Sequence, residues 1–380
     1  MTEVERTRQR EREEREMPFG VDSYLEWIRD EGLLIHEGLA LNTLRVETRD
    51  WPRFGVPAAA LHFTGRGDYC SMFVMDIPVG ASSNPVHHLF EALYFVLEGR
   101  GSTQIEFKDG SYRRFEWGPR SFFAIPLNAT YRHFNGSGVE RARMCVTTNS
   151  PLIMKTFHNS EFVFSDPYEF KERLGPKQFY TGEGTLHLKK ESGKSTWETN
   201  FIPDLAALQL TPYEERGPGS TIIKMAMADS VMHAHISEIP PAMYKKAHRH
   251  GGGTHVLTLT GGGYSLLWYP GDKEYQRVDW EYGTVFPPLN QQMHQHFVTS
   301  DNASRYLATA LGGVSYIFSE QQRRTEGIGG KSASKTSIKE GGDQIEYEDQ
   351  DPRIHALWLE EMNKAGVVPR LELPHAKVAS

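Results

Sequence analysis

The run Leu97-Glu98-Gly99-Arg100-Gly101 is answered by Leu259-Thr260-Gly261-Gly262-Gly263, and 27 residues beyond the first glycine Pro126-Leu127-Asn128 is answered by Pro288-Leu289-Asn290. The same two landmarks at the same separation mark an internal repeat, so the chain folds as two copies of one unit. After each Pro-Leu-Asn turn, His133-Phe134 matches His296-Phe297 when one residue is inserted in the second copy. The repeating material is made of short alternating runs, such as Ser71 to Ile77 and Ala92 to Leu97, separated by Gly, Pro and Asn. That pattern predicts strands joined by turns, hence two similar all-β barrels. The length of 380 residues agrees, because it exceeds what a single hydrophobic core usually serves.

The second copy carries five histidines at spacings that suit a metal. Successive side chains of a strand point to opposite faces, so His248 and His250 share a face, as do His294 and His296. The alternation His255, Leu257, Leu259 predicts a further strand whose inward set begins with a histidine. One histidine alone is more often a packed or surface residue. The set His248, His250, His255 and His294 predicts a metal site, and neutral imidazoles suit iron, zinc, nickel or copper better than magnesium or calcium. His296 shares a face with His294 and has four readings: a fifth ligand, a donor that hydrogen-bonds to a ligand rather than to the metal, a group that serves substrate as acid or base, or a satisfied histidine packed beside Phe297. Arg249 should face away from the metal, and Gly251 to Gly253 let the chain turn where bulk is not tolerated.

Composition narrows the partners. Hydrophobic residues make up 38% and aromatics 11%, enough for a globular fold, and the net charge of -7 gives no electrostatic reason to expect nucleic acid. No apolar run approaches membrane-spanning length, and the charged N-terminus does not read as a secretory signal. A cytoplasmic protein without a membrane partner is expected. Cys70 and Cys145 lack CxxC spacing and read as reduced core residues.

Along the chain, residues 1–44 form a mixed-charge tail followed by a helix near Ser23, with Asp22 or Ser23 as its cap and Gly32 as its stop. Residues 45–150 form the first barrel and 151–215 a connector with a helix from Pro167 to Gly175. Residues 216–320 form the second barrel. Residues 321–380 supply a flexible loop, read as a lid or a partner-binding arm, and a helix with Pro352 in its first turn.

At His248-x-His250-x4-His255-x5-Gly261 and Pro288 to His294 the sequence resembles the two motifs of the cupin superfamily, with histidine at the usual Glu position of the first. The resemblance covers roughly residues 60–150 and 220–320 and implies a bicupin: two tandem double-stranded β-helix (jelly-roll) barrels with a few flanking helices. In the first copy the aligned positions are Val86, His88, Leu93 and Tyr131, so one of four ligand positions survives. A shifted site built from His87 or His88 with Glu91 and His133 is the alternative to a structural or dimerising role for that barrel.

The histidine signatures are similar to those of the gentisate, salicylate and hydroxynaphthoate 1,2-dioxygenases. That similarity implies Fe(II) on His248, His250 and His294, with His296 beside substrate or dioxygen and a hydroxylated aromatic acid as the small-molecule substrate. His255 departs from this group, because a fourth histidine would fill a position that substrate and oxygen need. A non-oxidative isomerase, cyclase or lyase using Mn, Zn or Ni is the alternative, and a non-catalytic binding bicupin is a third. Exposed sheet edges predict a homo-oligomer.

Overall fold

The computed structural model describes residues 20–188, 194–327 and 329–373. The charged run at residues 1–16 lies outside them. In the first half eight strands form the barrel: β1 (Val56–Phe63), β2 (Ser71–Ile77), β3 (Ala92–Glu98), β4 (Gly101–Glu106), β5 (Tyr112–Trp117), β6 (Phe122–Ile125), β7 (Thr130–Asn135) and β8 (Ala142–Thr148). The second half repeats them as β9 (Thr221–Ala226), β10 (Met232–Ile239), β11 (His255–Thr260), β12 (Gly263–Trp268), β13 (Gln276–Trp280), β14 (Thr284–Phe286), β15 (Met293–Val298) and β16 (Ser304–Leu311). One wall of the first barrel runs β1-β2-β8-β3-β6 and the facing wall β7-β4-β5, while the second barrel runs β9-β10-β16-β11-β14 and β15-β12-β13. The order is identical in the two halves. This is the all-β architecture of two similar barrels in tandem that the repeat predicted.

The larger walls of the two barrels pack back to back. Their strands are therefore buried on both faces, which is why β2 and β3 read as nearly continuous apolar runs. Phe73, Met75, Tyr94 and Val96 point into the first barrel, whereas Met72, Val74, Leu93 and Phe95 join Ile223, Ala234, Leu257 and Leu259 in a core between the barrels. Thr147 and Thr309, which hold equivalent places on β8 and β16, hydrogen-bond to each other across that seam at 2.8 Å.

Each barrel also receives a strand from the segment that precedes its partner. Leu41–Asn42 pairs with β14 and Phe201–Ile202 pairs with β6, both antiparallel. Matching arginines fasten the crossings. Arg143 grips Asp76 through two bonds of 2.7 Å and donates to the Leu44 carbonyl, and Arg305 grips Glu238 and donates to the carbonyls of Leu205 and Leu208.

Helix α1 (Ser23–Asp30) is capped by Asp22 and puts Tyr24, Trp27 and Ile28 into the core of the first barrel. The helix expected from Pro167 to Gly175 is only a 3-10 turn at Lys171–Leu174. Its place is taken upstream by α2 (Ser150–Phe157), with Pro151 in its first turn, and α3 (Ser160–Ser165), whose amide of Phe162 donates to the Asn159 side chain. After the second barrel the segment expected to be a loop begins with α4 (Glu320–Glu326). The chain ends in α5 (Pro352–Ala365), capped by Asp351, which buries Ile354, Trp358 and Met362 against Tyr264 and Phe297. Among the described residues no helix is long and apolar enough to cross a membrane.

Candidate metal centre

His248 and His250 sit on the irregular segment before β11. The backbone of His248 exchanges two hydrogen bonds with His294 of β15, at 3.0 and 2.8 Å, which sets the two side chains beside each other. The turn that follows is held by the first half of the chain: Tyr69 donates to the Gly252 carbonyl and the Gly253 amide to the Gly65 carbonyl. A Cβ on Gly253, where φ is +86°, would meet the Arg66 carbonyl at 2.9 Å, so bulk is excluded there.

His248, His250 and His294 each offer a ring nitrogen within 4.8 Å of the other two. The Nδ1 atoms of His250 and His294 are engaged with the carbonyls of Gly251 and Gln292, at 2.8 and 3.1 Å, which leaves Nε2 free in the neutral tautomer. The Nδ1 of His248 is buried without a hydrogen-bond partner. Burial holds all three imidazoles below their ordinary pKa, more strongly at His248 and His294, so they are neutral donors. Orphaned nitrogen, fixed tautomers and an all-imidazole donor set fit a first-row divalent ion.

His255 does not join them. Its strand alternates as expected, but the face is the opposite one: His255, Leu257 and Leu259 point to the seam between the barrels, while Val256 points inward. Its ring packs edge-on against Phe63 of the first barrel, and its Nδ1 meets the Gly253 carbonyl. The aligned residue of the first copy, Leu93, lies in the same seam.

His296 stands next to the triad, 5.6 Å from His294 between ring centroids. Its Nδ1 hydrogen-bonds with Ser265, which also accepts from the Trp280 indole. The first barrel contains the same device as His133, Thr103 and Trp117. Because it recurs where no ligand set exists, this arrangement braces the β4-β7 and β12-β15 walls whatever the metal does. In the second barrel the ring also lines the cavity.

The alternative site in the first barrel does not assemble. His88 is tied to the Phe90 carbonyl and the Tyr131 hydroxyl, His87 to Asn128, and Glu91 to Arg173 and to the amides of Val231 and Met232. Among the described residues the only group of three or more ligand-type side chains is the triad of the second barrel.

That triad opens on a cavity of about 550 Å³. Its walls include residues that the sequence reading passed over: His233 and His235 of β10, Lys224 of β9, Lys194, Tyr213 and Arg216 from the connector, Lys245, and Glu326 of α4. His233-Ala234-His235 has the same period of two as the ligand pairs, so a signal was present. Strand register shows how unusual these residues are. His235 pairs with Ala308 and Lys224 with His235, in the places where Phe73 pairs with Val146 and Ala60 with Phe73 in the first barrel. At these places the first copy has hydrocarbon, and the second has an imidazole and a cation.

No family model and no curated protein matches the chain. Among solved structures it is similar to the Bacillus subtilis oxalate decarboxylase OxdC, in a mutant lacking residues 162 and 163, at 13% identity and a TM-score of 0.47, covering 73% of this chain and 78% of that one. It is also similar to vicilin from Capsicum annuum at 14% identity and a TM-score of 0.45, covering 73% and 86%. The two-barrel fold stands on the strand order of each half, not on these likenesses.

Proposed function

We propose that the second barrel is a metal-dependent active site, and that the protein is an iron(II) ring-cleaving dioxygenase acting on a hydroxylated aromatic acid or a similar small molecule. The observation that carries this reading is the ligand set: three neutral imidazoles lie together at the wall of one cavity, and His255, the residue that would have crowded the metal, faces the other barrel. Iron(II), if held by His248, His250 and His294, would supply Lewis acidity and electron transfer to dioxygen. The chain's own contributions are binding and orientation. The Gly251 and Gln292 carbonyls hold His250 and His294 in the donor tautomer. Arg216, anchored through Nη1 to Gln344, lies close enough to the triad to depress the basicity of His248 and His250, so it can receive a substrate carboxylate. His296, with Nδ1 fixed by Ser265, presents its other edge to what the cavity holds.

A second reading is favoured by one specific feature. Lys245 is fully buried, bonded to Ser237 and Tyr306, and its ammonium is pushed down to about 7 by burial, so it can hold or release a proton near neutrality. That group suits a non-oxidative isomerase, cyclase or lyase on manganese, zinc or nickel. Oxygen uptake by iron-loaded protein with a panel of hydroxylated aromatic acids tests the first reading. Anaerobic turnover of the same acids by the manganese, zinc or nickel form, lost in Lys245→Met, would replace it with the second. A metal-loaded protein that turns over none of them would leave a binding bicupin.

A further inference from the structure

The part of the cavity around His233, where Lys224, Glu326 and Lys194 act on that ring, has a different chemistry from the triad's end. Six basic side chains line the cavity against one carboxylate, Glu326. Lys224 is paired with Glu326 at 2.5 Å. Lys194 is 91% buried, as its 9% exposure states, yet among the described residues it has no hydrogen bond and no ion pair; its one close contact is the Tyr213 ring, 5.4 Å from the ammonium. Burial pushes its pKa down to about 8, and the nearby carboxylates of Glu326 and Glu215 act on it without pairing directly. The Nε2 of His233 is also without a partner.

The first barrel supplies the control. It keeps the same fold with Ala60 and Phe73 at the places of Lys224 and His235, so the barrel has no structural need of these charges. A cavity of about 550 Å³ also exceeds what one ring and one carboxylate would fill.

We propose that the cavity takes a ligand with two acidic groups, one received by the histidine triad with Arg216 beside it and a second, distal one received by Lys194 and Lys224. Glu326 holds the distal pole in the absence of ligand, and the incoming anion competes with it for Lys224. The distal group is a carboxylate or a phosphate, since either pairs with two ammonium groups. The placement of the first group rests on the metal reading above; the distal pole does not.

Phosphate and acetate are titrated into metal-free, full-length protein, and benzoate and isophthalate into the zinc-loaded protein, by calorimetry. Phosphate is expected to bind the metal-free protein, about tenfold more weakly in Lys194→Met and in Lys224→Met, and more tightly in Glu326→Gln. Tighter phosphate than acetate assigns the distal group as a phosphate, and the reverse as a carboxylate. Isophthalate should exceed benzoate by about tenfold in the parent protein and lose that advantage in Lys194→Met. His250→Ala should lose metal and keep phosphate binding, which separates failure of the metal reading from failure of this one. Unchanged phosphate affinity in both lysine variants, or isophthalate no tighter than benzoate, would overturn the proposal. Should the lysine variants not fold, Glu326→Gln decides alone: affinity no higher than the parent's counts against a distal anion pole.

Discussion

His250 and His255 differ by five positions and show how a period of two can be legible while its meaning is not. Both have Nδ1 against a nearby carbonyl, and both read as ligands in the sequence. Alternation states which residues share a face but not whether that face is the barrel interior or the seam, because both are buried and apolar runs cover each of them. The register of the first copy resolves it: Leu93 lies where His255 does. We therefore expect His255→Leu to fold and to keep its full metal content by elemental analysis. His250→Ala should lose metal and activity together, and His296→Ala should keep metal while losing turnover. Lost metal in His255→Leu would return His255 to the ligand set. Two buried histidines of the first barrel, His88 and His133, lead to a pH dependence. Burial pushes both down to about 3, whereas in the unfolded chain they titrate near 6.5. Between those values the unfolded state binds more protons, so stability is complete above about pH 6.5 and falls as the pH drops, by up to about 1.4 kcal/mol per unit for each proton. Denaturant titrations of the parent and of His133→Asn should show a shallower slope in the variant over that window.

At the level of elements the repeat was the strongest guide, and it reached further than the histidines did. Leu-x-Gly-x-Gly and Pro-Leu-Asn recur because each marks a turn in the same strand order. What could not be read was the exchange of Leu41–Asn42 and Phe201–Ile202 between barrels, since two-residue strands carry no periodicity. Nor were α2 and α3 read: α3 has only six residues, and α2, with Ser150, Pro151 and Met154 as its buried set, lacks the apolar stripe that marks α1. The exchange has an energetic signature at Arg143. Arg143 is 2% exposed and is held by Asp76 and the Leu44 carbonyl, so Arg143→Met would leave a buried carboxylate with the Thr48 hydroxyl and a 3.5 Å contact to Arg141 but no close cation. We expect a loss of about 3–5 kcal/mol by chemical denaturation. Adding Asp76→Asn should recover part of it, because the uncompensated charge is then gone. An Arg143→Met protein as stable as the parent would show that the crossing strands are held by the apolar seam alone.

Taken whole, the molecule places a copy of the fold with an apolar interior back to back with a copy whose cavity carries the histidine triad and a group of basic side chains. The first barrel closes on Phe73, Tyr94, Phe115 and Phe123, with Trp27 of α1 in the same core. The second encloses His233, His235, Lys224, Lys245 and the triad, groups whose burial opposes folding unless something binds them. Its apolar support lies in the seam, in an inner cluster around Val256, Leu267 and Phe286, and under α5, where Trp358 is fully buried against Tyr244. Stability should therefore be uneven, with the second barrel opening before the first when no metal is present. A metal that binds only the folded barrel stabilises it by mass action, about 2.7 kcal/mol at one hundred times its dissociation constant. In amide hydrogen exchange, adding zinc to metal-free protein should slow exchange in β10, β11 and β15, whereas β2, β3 and β7 of the first barrel should change little. Equal protection of both barrels would mean that the seam couples them into one unfolding unit. Protection gained in the first barrel alone would mean that the metal binds elsewhere and that the triad is not its site.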